Sequence, residues 1–252
     1  MVTSTALHRP GTSPVHRLPA QVKVVAAFTA VLAVVATPRE AFWVFGADLA
    51  VLVGVWAVAG VPVGWFARRA LIEVPFVLLA VVLPFTGSGP RTELLGLSVS
   101  VDGALAGWNI LAKGTLGVLV SLTLAATTHP HDIVVGMQRL RMPQVVTTIA
   151  SLMLRYIDVI VAEARRMHTA RVCRGHDPRF LWQVGAVARG IGVLFLRSYE
   201  RGERVHLAML ARGWTGAMPA PTATPAGTAG WFTGLSPALL VAVLAGVGLW
   251  TT

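Results

Sequence analysis

Five apolar runs of membrane length set the terms on which this chain can fold. They cover residues 22–37, 41–61, 70–85, 104–126 and 231–250. A helix rises about 1.5 Å per residue, so about 20 apolar residues cross roughly 30 Å of hydrocarbon. The first run opens with Lys23 at the interface and is barely long enough. Composition agrees with the runs: 55% hydrophobic and 13% charged residues, with a mean hydropathy of +0.69, exclude an ordinary soluble globule. The fold class that follows is an all-α polytopic membrane protein with about five transmembrane helices.

The formal net charge is +10. In a polytopic protein basic residues collect in cytoplasmic loops, so nucleic acid is not needed to explain that charge. Residues 1–21 carry His8, Arg9, His16 and Arg17, and no convincing small-x-small cleavage site follows, which predicts a retained cytoplasmic tail. Arg39-Glu40 makes a short turn, and Arg68-Arg69 a basic loop. Residues 86–103 form a Gly/Ser-rich loop whose charges are Arg91, Glu93 and Asp102, and the fourth run is followed by His129, His131, Arg139 and Arg141. Basic residues thus fall on one side of four spans. That predicts a multi-pass protein of the cell membrane with its N-terminus in the cytoplasm, and Trp43 and Trp65 stand where interfacial aromatics belong.

Residues 127–216 read differently. Val146, Ile149, Met153, Tyr156 and Ile160 lie on one helical stripe, and Thr148, Ser151, Arg155, Asp158, Ala162 and Arg165 on another. Arg or Asp at mid-bilayer costs roughly 2.5–3.5 kcal/mol each on insertion scales, a cost that an amphipathic helix at the cytoplasmic surface avoids. Pro143 suits its first turn and Gly175 its stop, giving about 30 residues. A second helix is predicted through Leu194–Arg212, with Phe195, Tyr199, Gly202, Val205 and Met209 on one stripe, Arg197, Arg201 and Arg204 on another, and Gly213 as terminator. The stretch 181–196 is apolar but interrupted by Arg189-Gly190. Were it and the preceding helix to cross as a hairpin, Arg171 and Arg212 would lie on opposite sides, so parity favours a cytoplasmic domain. The expected organisation is a tail (1–21), a four-span region (22–126), a cytoplasmic domain of amphipathic coupling helices (127–216), a proline-rich linker (217–230) and a last transmembrane helix (231–252).

Two triplets recur about forty residues apart in this basic region: Ala170-Arg171-Val172 and Ala211-Arg212-Gly213. An arginine fork grips carboxylates bidentately, and two such groups on one rigid domain suit a paired acidic partner. Together with Leu154-Arg155-Tyr156, the run Glu163-Ala164-Arg165-Arg166-Met167 and the run Arg197-Ser198-Tyr199-Glu200-Arg201, they resemble the transmembrane T component of energy-coupling factor (ECF) ABC transporters. The nearest likeness is to the cobalt-type CbiQ branch. It extends over almost the whole chain, taking in His16-Arg17-Leu18-Pro19 with Lys23, Pro84-Phe85, and Thr127-Thr128 leading to Leu140 and Pro143.

The resemblance implies a membrane scaffold that docks two ATP-binding-cassette ATPases through its coupling helices and holds a separate substrate-binding S component. Arg171 and Arg212 would each enter an acidic groove on one ATPase. The first triplet departs from the family's habit by ending in Val172, where Ser or Gly is frequent. Cobalt ion is the expected cargo, with nickel next and a vitamin such as biotin behind. The other classes are a channel or secondary transporter, and a membrane docking scaffold without transport. The first of these normally shows more polar spans or inverted repeats with broken helices.

The sequence holds no Walker A motif, so ATP hydrolysis would come from a partner and the chain itself would be non-catalytic. No serine or cysteine has a recognisable base and orienting acid beside it. His129-Pro130-His131-Asp132 reads as a polar turn, and the single cysteine, Cys173, excludes an internal disulfide and an all-cysteine metal centre. Neither a resident metal nor a cofactor is expected. Asp48 and Lys113 lie inside expected spans at similar depth, where an ionisable group is by default functional or paired. Either they form an intramembrane ion pair or one reaches the outer interface. Glu73, one turn into its span, is expected to reach water.

The sidedness argument has a direct check. Single cysteines at Thr169 and Thr215 in a Cys173→Ser background should be protected from an impermeant thiol reagent in intact cells, and labelling of either from outside would sink the five-span topology.

Overall fold

The fold is that of a computed structural model, which describes residues 8–69, 73–87, 90–94, 97–175, 184–216 and 227–251. Its elements are α1 (Pro14–Arg17), α2 (Ala20–Ala36), α3 (Phe42–Ala59), α4 (Val63–Arg69), α5 (Val74–Thr86), β1 (Arg91–Leu94), β2 (Leu97–Ser100), α6 (Val101–Thr127), α7 (Pro130–Arg139), α8 (Gln144–Cys173), α9 (Val184–Ala211) and α10 (Thr228–Thr251). The chain is a polytopic helical membrane protein. By length and composition α3, α6, α8 and α10 are each able to cross a membrane, while α2 and α5 are apolar but shorter. Two compact units divide it, one of residues 7–136 with 223–252 and one of residues 137–222 with 1–6.

In the first unit small residues set which helices meet. Lipid tails are as apolar as leucine, so helices in a bilayer are held by close van der Waals approach more than by hydrophobic driving force. The buried positions of α10 are Gly234, Ala238, Val241, Ala245 and Gly248, a stripe at alternating steps of four and three. A Cβ on Gly234 would collide with Val22 of α2, and one on Gly248 would stand 3.0 Å from Val44 Cγ2 of α3. On α6, Gly103 and Gly107 lie one turn apart against the Leu83 and Ala80 carbonyls of α5. Beneath these contacts Trp56 stacks on Phe66 of α4 with ring centroids 4.0 Å apart. Its Nε1 donates to Thr123 Oγ1 of α6 at 2.7 Å, which satisfies the indole's polar edge inside the bundle.

The N-terminal tail is bonded to this unit. Lys23 Nζ donates to the carbonyls of His16 at 3.0 Å and Thr127 at 2.9 Å, and the Arg9 amide donates to Ala126 O at 2.9 Å. His16 sits 2.7 Å from the Ser13 hydroxyl through Nδ1 and 3.1 Å from Arg9 O through Nε2. Burial holds the imidazole below the usual histidine range, favouring the neutral ring that donates from Nε2 and accepts at Nδ1.

The elements depart from the expected spans at three places. The second run ends as helix at Ala59, two residues early, because Gly60 takes φ +67 and closes α3 with the Val61 amide bonded to Trp56 O. The chain then enters α4, and α5 begins at Val74 and carries 13 residues. The Gly/Ser-rich loop 86–103 contains an antiparallel hairpin with Arg91 opposite Ser100 and Leu94 opposite Leu97. Ser100 then caps α6, its hydroxyl accepting from the Gly103 amide at 3.2 Å.

Glu73 is a further correction: it is buried, and its Oε2 accepts from Thr115 Oγ1 of α6 at 2.9 Å. It therefore anchors the start of α5 instead of reaching water. Pro219, Pro221 and Pro225 of the expected linker lie outside the described residues.

If glycine contacts hold the first unit together, Gly234→Leu and Gly107→Leu should each lower the thermal stability of the detergent-solubilised protein by about 1–3 kcal/mol, the usual cost of overpacking. Gly46→Ala, whose Cβ meets nothing within 4 Å, should cause no loss in the same assay.

Candidate docking site on the paired long helices

The second unit is built on α8 and α9, which run antiparallel. Arg171, near the end of α8, meets Ala186 and Gly190 near the start of α9. Further along, Glu163 of α8 takes Arg197 of α9. Beyond that point a cavity of about 370 Å³ opens between Ile149, Leu152 and Tyr156 on one side and Val205, Met209 and Trp214 on the other. The antiparallel order puts Arg171 at one end of the pair and Arg212 at the other. At about 1.5 Å per residue, the levels of Ala186 and Arg212 are separated along α9 by on the order of 40 Å.

Each helix stops at a glycine in the left-handed region. Gly213 has φ +78, with its amide bonded to Leu210 O at 2.9 Å and the Trp214 amide bonded to Met209 O at 3.0 Å. These are the two bonds of a Schellman motif. Gly175 has φ +79, and its amide bonds Val172 O at 2.9 Å. Only glycine holds such angles without strain, so both stops were readable in the sequence.

The repeated triplets occupy different places in these stops. Arg212 directly precedes its glycine, whereas Arg171 sits one turn earlier and Arg174 holds the position next to Gly175. Ala170, Val172, Ala211, Arg212 and Gly213 are exposed, but Arg171 is half-buried. Its Nη1 donates to Ala186 O at 3.4 Å, and its buried Nε has no hydrogen-bond partner among the described residues. Arg212 is exposed, and its guanidinium makes no hydrogen bond to a described residue. Two arginines that look alike in sequence therefore present different donor sets.

The structure shows several site features that the sequence pattern did not. Helix α9 starts ten residues before the expected Leu194 and runs straight through Arg189-Gly190. Gly190 lies under the Arg171 side chain, with an added Cβ standing 3.3 Å from Nη1. A glycine inside a helix costs up to about 1 kcal/mol relative to alanine, so one in an apolar helical stretch signals close approach of something else. Glu163 accepts from Arg166 Nη2 at 2.6 Å and also from Arg197, which clasps the two helices. Trp214 turns back after the Gly213 stop and meets His206 edge-on at 5.8 Å.

Much of the apolar surface of both helices is uncovered in the chain alone. Ile149 and Met153 of α8, and Phe195, Leu196 and Tyr199 of α9, are more than half exposed. Contiguous exposed apolar surface of this kind marks a membrane or protein contact.

Asp48 and Lys113 are not brought together. Lys113 Nζ donates to Val35 O of α2 at 2.8 Å. Asp48 is 1% exposed, and neither carboxylate oxygen has a hydrogen-bond partner among the described residues. Depth counted along each helix allowed contact, but the lysine's long arm reaches a backbone acceptor instead.

Comparison with known proteins places this geometry in a family. A family model described as CbiQ, cobalt transport protein, matches residues 11–222. The cobalt transport protein CbiQ of Rhodobacter capsulatus is 28% identical over 179 residues, covering 71% of each chain. The energy-coupling factor transporter transmembrane protein EcfT of Bacillus selenitireducens is 29% identical over 221 residues, covering 82% of each. The EcfT of Bacillus subtilis is 26% identical over 222 residues, covering 82% of this chain and 83% of that one.

The packing of Arg171 gives a graded expectation for α9. Gly190→Leu should lower the stability of the helix pair by about 1–3 kcal/mol through overpacking. Gly192→Ala, where nothing lies within 4 Å, should raise it by up to about 1 kcal/mol through helix propensity. Thermal unfolding of the two variants followed by circular dichroism distinguishes them.

Proposed function

Because the chain belongs to the CbiQ family of cobalt transport proteins, we propose that it is the transmembrane T component of an ECF-type ABC importer. It transmits ATP-driven motion from two ATPase subunits to a separate substrate-binding membrane protein. The observation that carries this reading is the placement of Arg171 and Arg212 at opposite ends of one antiparallel helix pair. A separation on the order of 40 Å leaves room for one ATPase at each end. The exposed apolar faces of α8 and α9 supply the surface for the bilayer and the substrate-binding partner.

On this reading residues 127–216 face the cytoplasm and the N-terminus lies on the same side. Hydropathy alone admits α8 as a crossing helix, but Arg155 and Asp158 on its polar stripe favour the surface. The chain performs no chemistry of its own; hydrolysis belongs to the ATPases. Cobalt ion is the cargo that the family description favours, ahead of nickel or a vitamin such as biotin.

Charge reversal tests the docking role. Arg171→Glu and Arg212→Glu should each weaken ATPase binding, by roughly 2–5 kcal/mol where the partner carboxylate is desolvated, and the double variant should abolish it. Arg212→Glu acts on an exposed residue, so its effect should be the larger of the two. The measurement is copurification of the ATPases with protein shown to insert normally in the membrane. Undiminished copurification by the double variant would mean that these arginines are ordinary surface charges.

A further inference from the structure

The first unit contains a second feature that ATPase docking does not use. A cavity of about 800 Å³ lies among α2, α3, α6 and α10, lined by Ala27, Ala30, Val51, Gly54, Leu124 and Val241, with Asp48 as its carboxylate. That volume and an apolar lining with few polar groups are the marks of a ligand site. Asp48 is 99% withdrawn from solvent, yet both of its oxygens are without hydrogen-bond partners among the described residues. A buried carboxylate left so costs several kcal/mol by desolvation unless it is neutralised or paired.

The other polar groups nearby are already committed. Lys23, which also lines the cavity, donates to the His16 and Thr127 carbonyls. Lys113 donates to Val35 O. The Thr123 hydroxyl takes the Trp56 indole and itself donates to Leu119 O. Among the described residues no group is left to satisfy Asp48.

We propose that this cavity binds an apolar molecule carrying one alkylammonium head, with the ammonium on the Asp48 carboxylate and the apolar body along the small-residue walls. The charge assigns the head, because a charge-assisted bond is what a lone buried carboxylate lacks. The depth favours a slender occupant. Asp48 lies six residues into α3, about 9 Å along the helix, so the head must travel below the interface.

The test uses the purified full-length chain in phosphatidylcholine nanodiscs, with dansylcadaverine, an apolar fluorophore on an alkylammonium arm, as probe and empty nanodiscs as the partition background. The wild type should show saturable binding above that background. Asp48→Asn should weaken it about tenfold or more, the loss expected for one charge-assisted bond. Gly54→Leu keeps the carboxylate and adds bulk to the cavity wall, and should weaken binding, with unfolding temperature monitored in parallel. Displacement by octylamine but not by octanol, a chain of the same length without the ammonium, supports the site, and equal displacement by both counts against it. Absence of saturable binding in the wild type, or unchanged affinity in folded Asp48→Asn and Gly54→Leu, overturns it.

Discussion

Inside a bilayer, helix meets helix without the hydrophobic drive that water supplies, so the membrane unit depends on how closely backbones can approach. That constraint explains why glycine and alanine occupy the contact stripes. Gly234 admits Val22, Gly248 admits Val44, and Gly103 and Gly107 admit the carbonyls of α5. Larger residues at these points would hold the helices apart. The remaining pairs are joined by polar bonds, from Trp56 of α3 to Thr123 and from Lys23 of α2 to the Thr127 carbonyl, both on α6.

The second unit meets a different requirement, since α8 and α9 keep wide apolar faces uncovered while an ion-pair clasp joins them. Glu163 joins Arg166 on its own helix and Arg197 on the other. Exposed ion pairs contribute modestly to stability, so the pairing is better understood as fixing register than as supplying the holding energy. Register is what the proposed two-ended docking role requires. With it set, the glycine stops at Gly175 and Gly213 fall at opposite ends, and an arginine stands at each.

The sequence was most informative where physics is local. Apolar length located α2, α3, α6 and α10 to within a few residues, and the 30-residue α8 was legible from Pro143 and Gly175. It was least informative where a tertiary contact overrides a local rule. Arg189-Gly190 looks like a break in a helix, yet α9 continues through it, and Arg171 lies across the glycine. Glu73 looks close enough to an end to reach water, but Thr115 holds it inside. The likeness of the two arginine triplets was visible at once. Their difference in exposure was not, because it depends on which helix each one packs against.

The central claim is that one rigid antiparallel pair holds two docking arginines far apart. Pulsed dipolar spectroscopy between spin labels on the native Cys173 and on Ala211→Cys measures that separation directly, in the assembled transporter and in the chain alone. The account predicts a single narrow distribution near 40 Å, from about 1.5 Å per residue along the pair. A maximum below about 25 Å, the distance expected if the two helix ends folded toward each other instead of running antiparallel at full length, would contradict it.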